Sequence, residues 1–235
     1  MINRLVYEEL EKLGLRKLKE ELPYELYFKC VNDVIQTVKI DMMSNKREVR
    51  LYFDIIPLCT DKNYFGRPWE YELKEMRNGL SVLDTRYNIV NSPDYYKEII
   101  NDIDKYIKPI FDEFNKTEKL LKLYIVLDNK IHGFDRYPDY RKLAAALKVG
   151  NYEYGLLILL YLKYDYVVWG YRRDLTQFID FSDIDLKKYT SFNYDEDEFI
   201  KKLDLLIHYT KDNNIKKINE YLEENKRNIF KYFKL

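Results

Sequence analysis

Between Tyr24 and Ile56 the chain alternates between apolar and polar positions. In "YELYFKC", Tyr24, Leu26, Phe28 and Cys30 fall on one side and Glu25, Tyr27 and Lys29 on the other. In "VIQTVKIDM", Val34, Val38, Ile40 and Met42 oppose Thr37, Lys39 and Asp41. In "REVRLYFDII", Val49, Leu51, Phe53 and Ile55 oppose Glu48, Arg50, Tyr52 and Asp54. Successive strand side chains point to opposite faces, so a period of two predicts half-buried strands. The connections "ND" and "MSNKRE" are short and turn-like, which predicts an antiparallel meander. Pro57 ends the third strand because proline has no N–H for the ladder. "TDKNYFGRPWEYELKEMRNG" reads as a loop with room for a short helix. "LSVLDTRYNIV" alternates again and predicts a fourth strand, with Leu83, Thr85, Tyr87 and Ile89 against Val82, Asp84, Arg86 and Asn88.

Elsewhere the period is helical. Residues 2–13 carry Leu5, Val6, Leu10 and Leu13 on one stripe, with Gly14 placed to end the helix. From Ser92, a candidate N-cap followed by Pro93, the stripe is Tyr96, Ile99, Ile100, Ile103 and Ile107, and Pro109 should kink or restart the helix. "TEKLLKLYIVL" continues helically. "PDYRKLAAALKVG" and "NYEYGLLILLYLKY" predict a helical hairpin turning at Gly150–Asn151. Residues 166–193 show no sustained period and read as an irregular loop, and two helices near 195–211 and 214–233 close the chain.

Strands segregated from helices predict an α+β fold: a four-stranded antiparallel meander covered on one face by helices, then an all-helical C-terminal region. The boundary falls near residue 130, in "DNKIHGFDRYP", giving a sheet domain over 1–130 and a helical region over 131–235 packed on it. The covered face is expected to hold Leu26, Phe28, Val38, Ile40, Leu51, Phe53, Leu83 and Tyr87. The other face is expected to hold Tyr27, Lys29, Lys39, Asp41, Arg50, Tyr52, Asp54, Asp84 and Arg86.

Composition narrows the classes. The 235 residues are 46% hydrophobic, enough for a core, and 40 basic residues balance 40 acidic ones. Neutrality argues against a general affinity for nucleic acid or anionic membrane. The start lacks the apolar core and cleavage site of a signal peptide, and "YGLLILLYL" falls short of the roughly 20 residues of a membrane span. Two cysteines, Cys30 and Cys59, imply no disulfide framework; they read as buried thiols in a cytoplasmic protein. The 24 tyrosines fit either an A/T-rich coding bias or a surface built for binding.

No motif completes a catalytic site. Seven scattered glycines make neither a dinucleotide fingerprint nor a phosphate loop, so no cofactor is expected. His132 has Asp128, Asp135 and Asp139 nearby in sequence, the pattern of either an oriented base or a solvated loop; His208 reads as a helix-face residue. Asp180, Asp183 and Asp185 alternate but lack the glycine and terminal glutamate of a calcium loop, so no metal site is expected. Lys39, Asp41 and Asp54 share a strand face, as phosphodiester cleavage would need, without a nuclease signature. Trp69 beside Arg67, and Trp169 near Arg172 and Arg173, are either loop anchors or contact residues of the kind that dominate interfaces.

"LEKLGL", "YFKC", "VRLYFDI", "DTRYNIV" and "IDKYIKPIFDEF" together resemble an uncharacterised bacterial domain-of-unknown-function family. It is marked by an N-terminal helix, an antiparallel sheet and a helix broken at a proline. The resemblance covers the first 130 residues and brings no catalytic residues with it. It implies a small intracellular protein of a kind associated with toxin-immunity or partner-binding roles. The leading expectation is therefore a non-enzymatic protein-binding protein, of the immunity or toxin-neutralising kind. Its contact residues would be Tyr27, Lys39, Arg50, Tyr52, Asp54, Arg86, Trp69 and Trp169, and its partner another protein. The alternatives are an enzyme acting on nucleic acid or phosphoesters through the sheet-face carboxylates, and an adaptor working through the helical region. The charged sheet face remains open to two readings, a solvated surface or a partner surface.

Overall fold

The computed structural model describes residues 3–18, 24–42, 47–61, 71–72, 87–88, 90, 92–122, 124, 140–169 and 198–235, with backbone alone at 71–72 and 164–169. The chain is α+β and divides into two compact units. The first holds Met1–Leu58, Phe65–Phe134 and Tyr232–Leu235, and the second holds Cys59–Tyr64 and Asp135–Lys231.

In the first unit α1 (Arg4–Lys12) leads into a sheet of β1 (Arg16–Lys17), β2 (Glu25–Val31), β3 (Val34–Met42), β4 (Glu48–Pro57), β5 (Tyr71–Glu72) and β6 (Tyr87–Asn88). The order is β1-β2-β3-β4-β5, all antiparallel, with β6 also paired to β4. The three long strands lie where alternation predicts them. The described part of the expected fourth strand is β6, whose Tyr87 pairs with Val49. β1 and β5 were not expected, because two residues are too few to show a period. Of the expected core and charged faces, Leu83, Asp84 and Arg86 lie outside the described residues.

One sheet face packs under helices α2 (Tyr95–Asp102) and α3 (Lys108–Glu113), joined by a π-turn at Ile103–Ile107. The buried positions there are Tyr95, Ile99, Ile103, Ile107 and Phe111, spaced by four throughout. An α-helix advances about 100° per residue, so such a stripe drifts roughly 40° per step. The wider π-turn absorbs an extra residue and keeps the stripe on the sheet. It also lets the Lys108 N–H reach the Ile103 carbonyl just before Pro109, which has no N–H to offer. Helix α2 begins later than Ser92: Ser92 opens a turn, and Asp94 occupies the N-cap position.

Polar side chains on this covered face close the helix ends. The Lys29 ammonium donates to the Leu13 carbonyl at the end of α1 (2.8 Å), and the Gln36 amide donates to the Phe111 carbonyl in the last turn of α3 (2.6 Å). Both satisfy carbonyls that a helix C-terminus leaves without partners. The β2–β3 turn serves the opposite end of the helical run at 117–122, its N-terminus, where Asp33 Oδ1 accepts from the Thr117 N–H (3.0 Å).

The second unit contains α4 (Tyr140–Lys148), α5 (Tyr152–Trp169), α6 (Glu198–Lys211) and α7 (Ile215–Phe233, through Lys231). The irregular stretch expected from residue 166 is helical as far as Trp169. Both hairpins turn by one device. After α4, Gly150 takes a φ of +79°, the Asn151 N–H reaches the Ala146 carbonyl, and Asn151 Oδ1 caps α5 at the Tyr154 N–H. After α6, Asn213 takes a φ of +51°, the Asn214 N–H reaches the Tyr209 carbonyl, and Asn214 Oδ1 caps α7 at Lys217. These are left-handed helix stops followed at once by an N-cap. Gly155 of α5 lies against Leu147 of α4, where a Cβ would come within 2.8 Å of Leu147 Cδ2. An ion pair of Lys163 with Asp204 links α5 to α6. No helix among the described residues is long and apolar enough to cross a membrane.

Candidate functional site

The face of the sheet opposite α2 and α3 is laid out by register. Leu26, Lys39 and Tyr52 form one row across β2, β3 and β4; Phe28, Thr37 and Asp54 form the next; Cys30, Ile35 and Ile56 form a third. Asp41 and Arg50 are opposite each other at the far end. The expected grouping of Tyr27 and Lys29 with Arg50 and Tyr52 is not what the sheet makes. A two-residue connection at Asn32–Asp33 pairs Val31 with Val34, which sets Tyr27 opposite Val38 and leaves Leu26 opposite Lys39. Tyr27 is 5% exposed and stacks on Tyr7 of α1, with centroids 6.0 Å apart. Burial, then the nearby Glu25 charge, raises the Tyr27 hydroxyl far above the ordinary tyrosine range. Tyr27 is thus a core residue.

Helices were expected to cover one face alone, yet part of the second is buried too. Leu26, Phe28, Ile35, Thr37, Asp54 and Ile56 are all buried. The Phe233 ring, from the C-terminal end of the chain, lies 4.8 Å from that of Phe28. Apolar Leu26 and Phe28 on a face otherwise rich in charge signalled such a cover. Of the two cysteines, Cys59 is buried, whereas Cys30 is exposed.

The half-buried end carries the chemistry. The Lys39 ammonium sits 4.6 Å from the Tyr24 ring centre and 4.7 Å from that of Tyr52. Arg50 Nη1 donates to the Tyr52 hydroxyl at 3.4 Å. A cation over an aromatic face is attracted by the ring quadrupole, about 0.5–1 kcal/mol where exposed and about 2 when desolvated. Two rings therefore hold the flexible Lys39 side chain in one place, and Arg50 steadies one of the rings. Tyr24 was not among the expected contact residues. Its membership follows from the turn count that places Leu26 beside Lys39.

The carboxylates do not converge. Asp54 pairs across with Thr37, four residues along β3 from Asp41. At about 3.4 Å per residue that separation is roughly 14 Å, too far for the two to hold one ion. Asp54 is fully buried, with its Oδ1 accepting from the Ile55 N–H (2.7 Å). Among the described residues no group of three or more potential metal ligands is brought together. His208 is exposed on α6, 3.2 Å from Asp212 just past the end of that helix. Trp69, Arg86, His132, Asp180, Asp183, Asp185 and the Trp169 side chain lie outside the described residues.

No family model matches this chain, and no curated protein or solved structure matches it.

Proposed function

We propose that this protein acts by binding another protein, through the half-buried end of the second sheet face formed by Tyr24, Lys39, Arg50 and Tyr52. The observation that carries this reading is the Lys39 ammonium held between two tyrosine rings. Rigid amphipathic rings lose little entropy on contact, and pre-placed cations steer and orient a partner. Tyrosine and arginine are also the residue types that most often dominate interface energies. The resemblance of the first 130 residues to domains associated with immunity supports a narrower form, in which the partner is a toxin that this protein neutralises.

The test is capture and identification of the partner from the producing organism, followed by titration of purified partner against wild type, Arg50→Glu and Tyr52→Ala. A contact of hot-spot strength, about 2 kcal/mol, predicts roughly 30-fold weaker binding with an unchanged circular dichroism spectrum. Undiminished affinity in both variants would rule out this surface. The narrower form further requires that the partner inhibit growth when expressed alone and lose that effect when this chain is co-expressed.

A further inference from the structure

In the second unit, a polar cluster sits where no sequence motif pointed. Asp61 is 2% exposed, and its Oδ2 accepts from Lys202 Nζ of α6 (2.9 Å) and from the Tyr221 hydroxyl of α7 (3.2 Å). Lys202 Nζ also lies 5.4 Å from the Tyr221 ring centre. Burial and the Asp61 charge together hold the Tyr221 hydroxyl well above the ordinary tyrosine range, so it remains a donor.

One turn further along α7, Asn225 occupies a core position in the stripe of Ile218, Leu222 and Ile229. It is 2% exposed, and its amide nitrogen, shut off from water, has no hydrogen-bond partner among the described residues. It lies close enough to the Tyr221 hydroxyl to oppose that upward shift, though outside hydrogen-bond geometry. A polar residue buried on an apolar stripe with a donor unmatched costs about 1–3 kcal/mol. Two donors, an ammonium and a phenol, thus converge on one carboxylate, with the Asn225 amide beside the phenol. Lys202 and Tyr221 come from α6 and α7, whereas the acid comes from the separate 59–61 segment of the same unit.

We propose that Lys202 and Tyr221 form a carboxylate-receiving site on the helices of the second unit, with Asp61 as its resident occupant and Asn225 flanking it. The donors belong to α6 and α7, so the site persists when the acid is removed, and a small free carboxylate can enter it. The buried Tyr221 hydroxyl has lost water, which makes its bond to a charged acceptor stronger than at a surface, while the half-exposed Lys202 ammonium adds a screened charge.

The test is chemical rescue in the full chain. Asp61→Ala leaves a space that formate fills, the alanine methyl and formate together approximating the lost side chain. Thermal unfolding is followed by circular dichroism in sodium formate and in sodium chloride of equal ionic strength. The Asp61→Ala midpoint should rise with formate in a saturable way, by roughly 2–4 °C at several times the dissociation constant. Wild type should respond to the two salts alike, and the rise should vanish when Tyr221→Phe and Lys202→Met are added. If Asp61→Ala does not fold in chloride, recovery of its helical spectrum in formate becomes the readout. Equal behaviour in the two salts, or an undiminished rise in the triple variant, would overturn the proposal.

Discussion

Phe233→Ala should destabilise the first unit by about 3–5 kcal/mol, the usual range for emptying a buried phenylalanine site. The Phe233 ring is 1% exposed and meets the Phe28 ring at 4.8 Å and 47°. Transfer of a phenylalanine side chain from water accounts for about 1.5–3 kcal/mol of this. The aromatic pair adds about 0.5–1.5, and the cavity left beside Phe28 supplies the rest. Urea unfolding followed by circular dichroism measures the loss. A cycle with Phe28→Ala isolates the pair, with an expected coupling of about 0.5–1.5 kcal/mol. Removal of the exposed Leu235 serves as the control and should change stability by less than about 0.5 kcal/mol. A Phe233→Ala loss below about 1 kcal/mol, with no coupling to Phe28, would refute the assignment of the C-terminal residues to the first unit's core. The prediction also bears on truncation. Deleting residues from 131 onward would strip Phe233 from the sheet, so loss of binding in that fragment would not assign the partner surface to the helices.

Lys29→Met should cost about 1–2 kcal/mol in the same urea assay, since it leaves the Leu13 carbonyl at the end of α1 without its cation; no loss would remove Lys29 as a cap. Tyr7 has its pKa raised from 10.0 to about 12, first by burial and then by the Glu25 charge. A raised folded pKa contributes stability that is intact below pH 10 and lost as pH climbs from 10 to 12. Tyr7→Phe should therefore flatten the alkaline limb of the stability profile by about 1 kcal/mol, allowing for screening of a half-exposed group; an unchanged limb would contradict this. Gly155→Ala should not yield the gain of about 1 kcal/mol expected of a helix-interior glycine, because the new methyl meets Leu147. In a Leu147→Ala background the same substitution should recover that gain, and additivity between the two sites would show that the close approach is not felt.

Much of the architecture is local and therefore legible. The long strands and the helices announce themselves through periods of two and of about 3.6. Gly14, Gly150 and Asn214 mark helix ends because their conformational freedom or capping oxygen acts within a few residues. The two-residue turn at Asn32–Asp33 even contained the register of β2 against β3, and counting from it places Leu26 opposite Lys39 and so Tyr24, not Tyr27, on the Lys39 face. The π-turn was legible only as a proline out of place.

What the sequence determined by itself is which side chains share one side of one strand or helix, since that is fixed by backbone geometry over neighbouring residues. The tertiary structure alone decided which of those sides meet. It set β4 against β3 through a five-residue connection that no turn rule specifies, and so kept Asp41 and Asp54 roughly 14 Å apart on one face. It brought Phe233 onto Phe28 and Tyr221 onto Asp61, pairs separated by well over a hundred residues. Such contacts depend on the burial of whole apolar surfaces and the pairing of groups removed from water, and those energies have no period along the chain.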